Sequence, residues 1–390
     1  MTPPRVWDLA VVGAGPAGAA AALGALHARP GLSVLLVDRS DFPRDKSCGD
    51  GIAPHVLDLL AEVGVTGLVH DRVPVTRLRL ERGRARVART MTRAAWVVPR
   101  SVFDARLVDA ACDAGAHLLR HRVRDIAVGR QGVRLDGSIT ARLVVGADGA
   151  HSRVRASTGA RRTSTALALR AYAPVVPGRE GEQVIAFGSG RAPAYAWSFD
   201  RGDGLANVGY GELLSPGRPQ PTRSSLVARL EDLLPGATAG ATGWRGHHLP
   251  LSPARWAHPD GRVLLAGDAA GLVNPLTGEG IYYAVATGLA AGRTAAEASA
   301  HGDGAHAGRA YRRAVRSLLA GHLRHTALAG GLARSGRVLE AGMLAASRDQ
   351  RVFDDLVELG LGRGRITPAV VGGLLHAAGG RLVHAAKERG

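Results

Sequence analysis

The apolar run Val6-Trp-Asp-Leu-Ala-Val-Val12 turns into Gly13-Ala-Gly15-Pro16-Ala17-Gly18 and then into a small-residue stretch that ends near Ala28. Few folds accept that order. A short apolar run closed by glycine reads as a buried parallel strand, and Ala19–Ala28 as a helix packed closely on it. Leu32–Val37 is a second apolar run, closed by Asp38, so about thirty residues complete one βαβ unit. Gly13 permits the tight turn, Gly15 lets the backbone approach a pyrophosphate, and Gly18 lets helix and strand touch. Pro16 and Ala17 complete the candidate cradle, and Asp38 is placed to accept from a nucleotide ribose hydroxyl.

A second element lies far along the chain. Arg262–Ala266 reads as a strand running into Gly267-Asp268, then through a turn to Gly278-Glu-Gly280-Ile281 and a small-residue helix. That order puts the Asp268 carboxylate, backbone N–H groups and a positive helix end at one spot. Together with the first glycine turn it points to FAD held in an extended form. The expected fold class is α/β: a Rossmann-like FAD-binding domain interleaved with a mixed or antiparallel β-sheet substrate domain and a helical C-terminus. Residues 1–70, 100–160 and 259–304 form the discontinuous FAD-binding domain in this reading. Residues 71–99 and 161–258 form the sheet domain, and 305–390 the helical region, with Gly330-Gly331 and Gly362–Gly364 as breaks. Within the first domain, Arg100–Gly115 reads as a helix, Val123–Val128 and Val133–Leu135 as a hairpin, and Ala141–Val145 as a strand into Gly146-Ala-Asp148-Gly149.

Composition excludes more than it assigns. The formal charge is +17, yet Lys46 and Lys387 are the only lysines, so the excess is arginine. A genome-wide coding bias explains such a pattern, as does attraction to an anionic lipid surface or a phosphorylated substrate. Nucleic acid is not expected, because no recognition helix or aromatic–basic sheet motif is visible. Cys48 and Cys112 make neither a disulfide framework nor a metal spacing, and His151 and the consecutive His247 and His248 have no further ligand at a suitable spacing, so no metal is expected. The expected location is the cytoplasm, with peripheral membrane contact left open, since no apolar stretch is long enough to span a bilayer.

Two further segments carry a resemblance. Phe42-Pro-Arg-Asp-Lys-Ser-Cys48-Gly49-Asp50-Gly51-Ile52 is similar to the cysteine–glycine loop of the FAD-dependent geranylgeranyl reductase family, especially its actinobacterial menaquinone-reductase branch. Pro193-Ala-Tyr195-Ala-Trp197-Ser-Phe199, followed by Val208-Gly209, resembles that family's Tyr-x-Trp-x-Phe-Pro signature, except that Asp200 replaces the proline. The family lies within the para-hydroxybenzoate hydroxylase-like flavoproteins. The resemblance implies reduction of C=C bonds in a polyprenyl chain by hydride transfer from reduced flavin N5, with NADPH or a ferredoxin as external reductant. It implies that Cys48, Gly49 and Gly51 sit against the flavin ring, and that Arg100, Val123, Asp148, Asp268, Gly278, Gly280 and Ile281 also contact the cofactor. Period-two spacing puts Tyr195, Trp197 and Phe199 on one strand face, the expected substrate wall. Cys48 and Tyr195 are the candidate catalytic residues, with Asp50 another candidate proton donor. Asp200 is expected near the cavity mouth or at a softened turn. The rival readings are a flavin monooxygenase acting on an apolar or aromatic intermediate, and a non-catalytic prenyl carrier.

Overall fold

The computed structural model describes residues 6–160, 163–188, 194–215 and 217–387, with only the backbone path of the last helix beyond Ala377. Pro193, which opens the aromatic segment, lies outside the described residues. The chain begins β1 (Val6–Val12), α1 (Pro16–Ala28), β2 (Val34–Asp38), β3 (Gly51–Ile52), α2 (Pro54–Ala61), β4 (Pro74–Arg82) and β5 (Ala85–Val97). It continues α3 (Arg100–Asp113), β6 (His117–Arg120), β7 (Ile126–Val128), β8 (Val133–Leu135), β9 (Ile139–Gly146) and α4 (Arg153–Ser157). Then come β10 (Thr165–Pro174), β11 (Glu182–Phe187), β12 (Ala194–Asp200), β13 (Leu205–Leu213), α5 (Arg223–Leu233), β14 (Thr242–Pro250) and β15 (Val263–Leu265). The helices α6 (Ile281–Ala300), α7 (Ala307–Leu332), α8 (Gly336–Arg348), α9 (Gln350–Leu361) and α10 (Pro368–Lys387) complete it.

The first sheet runs β6-β2-β1-β9-β8-β7, with β15 also paired to β9. Its central strands are parallel, and their stretches Leu9–Val12, Val34–Val37 and Leu143–Val145 are apolar and buried because both faces are covered. Leu9 and Val11 of β1 face α1 and α6, whereas Ala10 and Val12 face a second cluster with Val37, Val123 and Val133. The helices α1 and α6 approach through small residues. A Cβ at Gly288 would stand 2.2 Å from the Ala17 carbonyl oxygen, and one at Gly292 would stand 2.0 Å from that of Ala21. Strand β6 has no counterpart in the sequence reading, because all four of its residues are exposed at the sheet edge and show no alternation.

The second sheet runs β14-β10-β13-β12-β11-β4-β5-β3. It is antiparallel except where β11 lies parallel to β4, Glu182 opposite Arg77. That mixed pairing arises because β4 belongs to the earlier crossover out of the first sheet. Strand β3 pairs with β5, Gly51 opposite Val97, which sews the loop after β2 into this sheet. Helix α5 covers one face with Leu226 and Leu230, joined by Leu234 just past its end. Helices α8, α9 and α10 pack on β5 through Met343, Phe353 and Val370 against Val87 and Met91. Gly362–Gly364 does break the helical region, with Gly362 at φ +144°. Gly330-Gly331 does not: α7 runs through both, and a Cβ at Gly330 would stand 3.1 Å from the Pro275 carbonyl oxygen, so the glycine serves packing.

Candidate active site

The turn after β1 is built as a cradle. Gly13 has φ +98°, and a Cβ there would fall 2.3 Å from the Ala147 carbonyl oxygen. A Cβ at Gly18 would meet the Gly13 carbonyl oxygen at 1.7 Å, so helix and turn touch only because the residue is glycine. At Gly15 the nearest atoms to such a Cβ are guanidinium nitrogens, Arg44 Nη2 at 3.3 Å and Arg100 Nη2 at 3.9 Å. Both arginines are held by Asp104, which is fully buried: Arg100 pairs with it at 2.6 and 2.7 Å, and Arg44 at 3.2 Å. Two guanidiniums beside exposed turn backbone make an anion site that suits a diphosphate. Arg100 and Asp104 stand at i and i+4 on α3, a pattern the sequence carries without saying that the pair is buried.

The other expected contacts divide. Gly15, Pro16, Ala17, Cys48, Gly49, Gly51, Arg100, Asp268, Gly278, Gly280 and Ile281 line one cavity of about 630 Å³, together with Tyr195, Trp197 and Phe199. Gly13, Gly18, Asp38, Val123 and Asp148 do not line it. Asp38 uses its carboxylate on the turn itself, accepting from Ala14 N at 2.8 Å and Ser40 N at 2.9 Å. Asp148 caps α4, accepting from the Ser152 hydroxyl and from Arg153 N at 2.7 Å, while its neighbours Ala147 and Gly149 reach the cavity. Val123 is buried in the core cluster with Val12 and Val37. Asp200 lies away from the cavity, accepting from Gly181 N and Gly202 N at the far end of β12, where it secures a turn.

Asp268 follows β15, and its side chain meets Lys46 at 3.5 Å and His247 at 3.6 Å. Burial opposes its ionisation, but Lys46, His247 and Arg100 outweigh it and hold the carboxyl well below the usual range. The loop carrying Cys48 is fixed by one polar chain. Asn207 donates to the Cys48 carbonyl and to Asp50, each at 2.8 Å, and accepts from Trp197 Nε1 at 2.8 Å. Tyr172 donates to the same Asp50 oxygen at 2.5 Å. Asp50 is fully buried at φ +60°, a left-handed conformation that aspartate tolerates. Burial pushes its carboxyl up to about 6 against the hydrogen bonds of Tyr172 and Asn207.

The aromatic strand β12 shows its alternate side chains to the cavity, and β13 answers with small or polar ones. Phe199 stands opposite Asn207, Trp197 opposite Gly209, and Tyr195 opposite Gly211. A Cβ at Gly209 would lie 2.2 Å from Trp197 Cζ2, which gives the Val208-Gly209 pair its reason. Phe199 in turn lies against Gly49, whose Cβ would be 3.3 Å away. The Tyr195 hydroxyl donates to the Thr277 carbonyl, and burial raises its pKa. Burial likewise pushes the Cys48 thiol up despite nearby Arg100.

Glu279 is the site residue that the sequence reading passed over. It lines the cavity just before α6 and accepts from Tyr282 N at 2.9 Å. Burial pushes its carboxyl up to about 7, against backbone hydrogen bonds from Tyr282 and Ile281 and the charge of Arg100. In the run Gly278-Glu279-Gly280 it looks like a turn residue, and no sequence signal marks it as buried. Among the described residues, no cluster of His, Cys, Asp or Glu could hold a metal. The residues present fit FAD: an anion cradle at Gly15 and an ionised Asp268 with Lys46 beside it offer partners for polar parts of such a cofactor.

Residues 7–180 match the FAD binding domain family. The chain is 36% identical over 317 residues to menaquinone reductase of Mycolicibacterium smegmatis, covering 74% of this chain and 75% of that protein. It is 34% identical over 319 residues to digeranylgeranylglycerophospholipid reductase 1 of Methanopyrus kandleri, covering 76% of this chain and 82% of that protein. Among solved structures, a geranylgeranyl bacteriochlorophyll reductase-like protein of Thermoplasma acidophilum shares the fold, with a TM-score of 0.73 over 96% of both chains at 22% identity. With the cradle, the cysteine–glycine loop and the aromatic strand assembled around one cavity, the chain is an FAD-dependent oxidoreductase and belongs to the geranylgeranyl reductase family.

Proposed function

We propose that this oxidoreductase saturates C=C bonds of a polyprenyl chain carried by a diphosphate, a quinone or another lipid head group. The observation that carries the reading is the shape and chemistry of the cavity. Among its charged groups, Lys46, Arg100, Asp268 and Glu279 gather with the cofactor glycines, and the apolar residues Met343, Phe353 and Leu374 of α8, α9 and α10 wall another part. A flexible hydrocarbon gains about 0.8 kcal/mol per buried CH₂, so such a chamber holds a chain and sets its reach. Relatives named for menaquinone and for digeranylgeranylglycerophospholipid reduction support the same substrate class.

FAD, held by Gly15, Cys48, Gly49, Arg100 and Asp268, would supply when reduced a hydride donor strong enough for an unactivated alkene. The chain's own groups do the rest. Trp197, locked by Asn207, and Phe199 hold the alkene in register. Glu279 is the cavity carboxyl that keeps a proton near neutral pH and regains it from solution. Tyr195 acts as wall and support, its proton engaged by Thr277, and Cys48 shapes the ring pocket as a neutral thiol. NADPH or a ferredoxin is proposed as the external electron source.

The test is anaerobic: the flavoprotein is reduced with dithionite and mixed with geranylgeranyl diphosphate or a menaquinone, and products are weighed by mass spectrometry. A gain of two hydrogens per bond supports the proposal. A gain of one oxygen that appears only with air would move the assignment to a monooxygenase, and no product with either substrate, with or without air, would favour a carrier.

A further inference from the structure

We infer that the mouth of the cavity docks on an anionic membrane, so that a lipid-borne chain enters from the bilayer; this rests on the proposed substrate class. Four aliphatic residues both line the cavity and stand in solvent: Leu328 and Leu332 on α7, and Val371 and Leu375 on α10. They are 55%, 42%, 45% and 69% exposed, far more than the aliphatic residues of the core. Each pair is spaced i, i+4, so each helix turns one apolar ridge outward at the same opening. Every residue that α7 and α10 contribute to the cavity lining is apolar.

Charge selects the partner. No Asp or Glu stands between Asp303 and Glu340, nor between Glu358 and Glu388, so α7 and α10 carry no acidic residue. Arg324 lies one turn before Leu328 on α7, Arg334 two residues after Leu332, and Arg337 beside the cavity residue Val338; all three arginines are exposed. An apolar ridge flanked by arginine and free of acid matches a bilayer surface rich in anionic head groups, with the aliphatic side chains entering the acyl boundary and the guanidiniums at the phosphates. Among the described residues no helix is long and apolar enough to cross a membrane, so the contact is peripheral.

The test uses the full-length flavoprotein with sedimented vesicles of phosphatidylglycerol and phosphatidylcholine, against vesicles of phosphatidylcholine alone. Binding to the anionic vesicles is expected, weakening as salt is raised. The triple variant R324Q/R334Q/R337Q should bind about a hundredfold more weakly, on the order of fivefold per arginine at an anionic surface. The double variant L328D/L375D should also lose binding, with bound flavin and melting temperature showing that each variant is folded. Absence of wild-type binding, or binding that survives both variants, overturns the inference. So does concentration-dependent self-association that the leucine variant abolishes, which would make the ridge a contact between two copies. Vesicle binding is read without turnover, so its failure is separate from failure of the reduction assay.

Discussion

Glu279 and Asp50 are both carboxyls taken out of water, but they differ in what surrounds them. Asp50 has no cavity surface and gives one oxygen to Tyr172 and Asn207, so it positions the Cys48 loop. Glu279 faces the cavity, and a carboxyl raised to about 7 is half-loaded with its proton near neutral pH. Substrate-dependent oxidation of the reduced protein, followed by stopped flow, should therefore slow as pH rises through about 7. Glu279→Gln should flatten that limb and lower the rate by about a hundredfold, the usual scale for a lost proton-transfer group. A variant that keeps the wild-type limb would remove Glu279 from this role. The sequence shows Glu279 only as a polar residue between glycines. Its raised pKa comes from chain segments far away that exclude water.

At the scale of the element, β12 and β13 form one device: Trp197 on the first strand needs glycine opposite it on the second, and Asn207 holds its ring nitrogen. Spacing alone places Tyr195, Trp197 and Phe199 on one face, but register across β13 assigns each its partner. Two glycines of β13 then make opposite predictions. A Cβ at Gly209 would strike Trp197 at 2.2 Å and the Leu169 carbonyl oxygen at 2.4 Å, whereas at Gly211 the nearest atom is 3.5 Å away. Gly209→Ala should cost about 1–3 kcal/mol through overpacking and shift the tryptophan fluorescence. Gly211→Ala should stay within about 0.5 kcal/mol. Chemical denaturation of the two variants checks the contrast, and equal costs would contradict the register argument. Helices were more legible than strand partners: α3 follows from its glycine stop and α6 from its small-residue run, but the parallel β4–β11 pairing depends on a crossover that local pattern does not encode.

For the whole molecule, the polar chain Tyr172–Asp50–Asn207–Trp197 ties the loop after β2 to the second sheet, and its electrostatics should show in global stability. The folded Asp50 carboxyl is raised to about 6, above its ordinary value near 4. Between about pH 4 and pH 6 the unfolded chain loses this proton while the folded one retains it, so this group lowers stability as pH rises. The cost levels off above about pH 6, at roughly 3 kcal/mol. Asp50→Asn should remove that component, so the difference between wild-type and variant melting curves should vary with pH only in this window. A difference that is constant across it would mean that Asp50 is ionised throughout. The sequence by itself determined the βαβ cradle, the return at Gly267-Asp268 and the aromatic face of β12, because these rest on local rules of turn sterics and residue periodicity, while its motifs carried the resemblance to a flavoprotein family. Only the tertiary structure decided that Asp148 binds the first turn of α4 and Asp200 a loop turn, that Asp104 holds Arg44 and Arg100 beside Gly15, that Glu279 lines the cavity, and that α7 and α10 leave its mouth apolar. Burial and desolvation are properties of segments brought together from across the chain, and no local stretch of residues contains them.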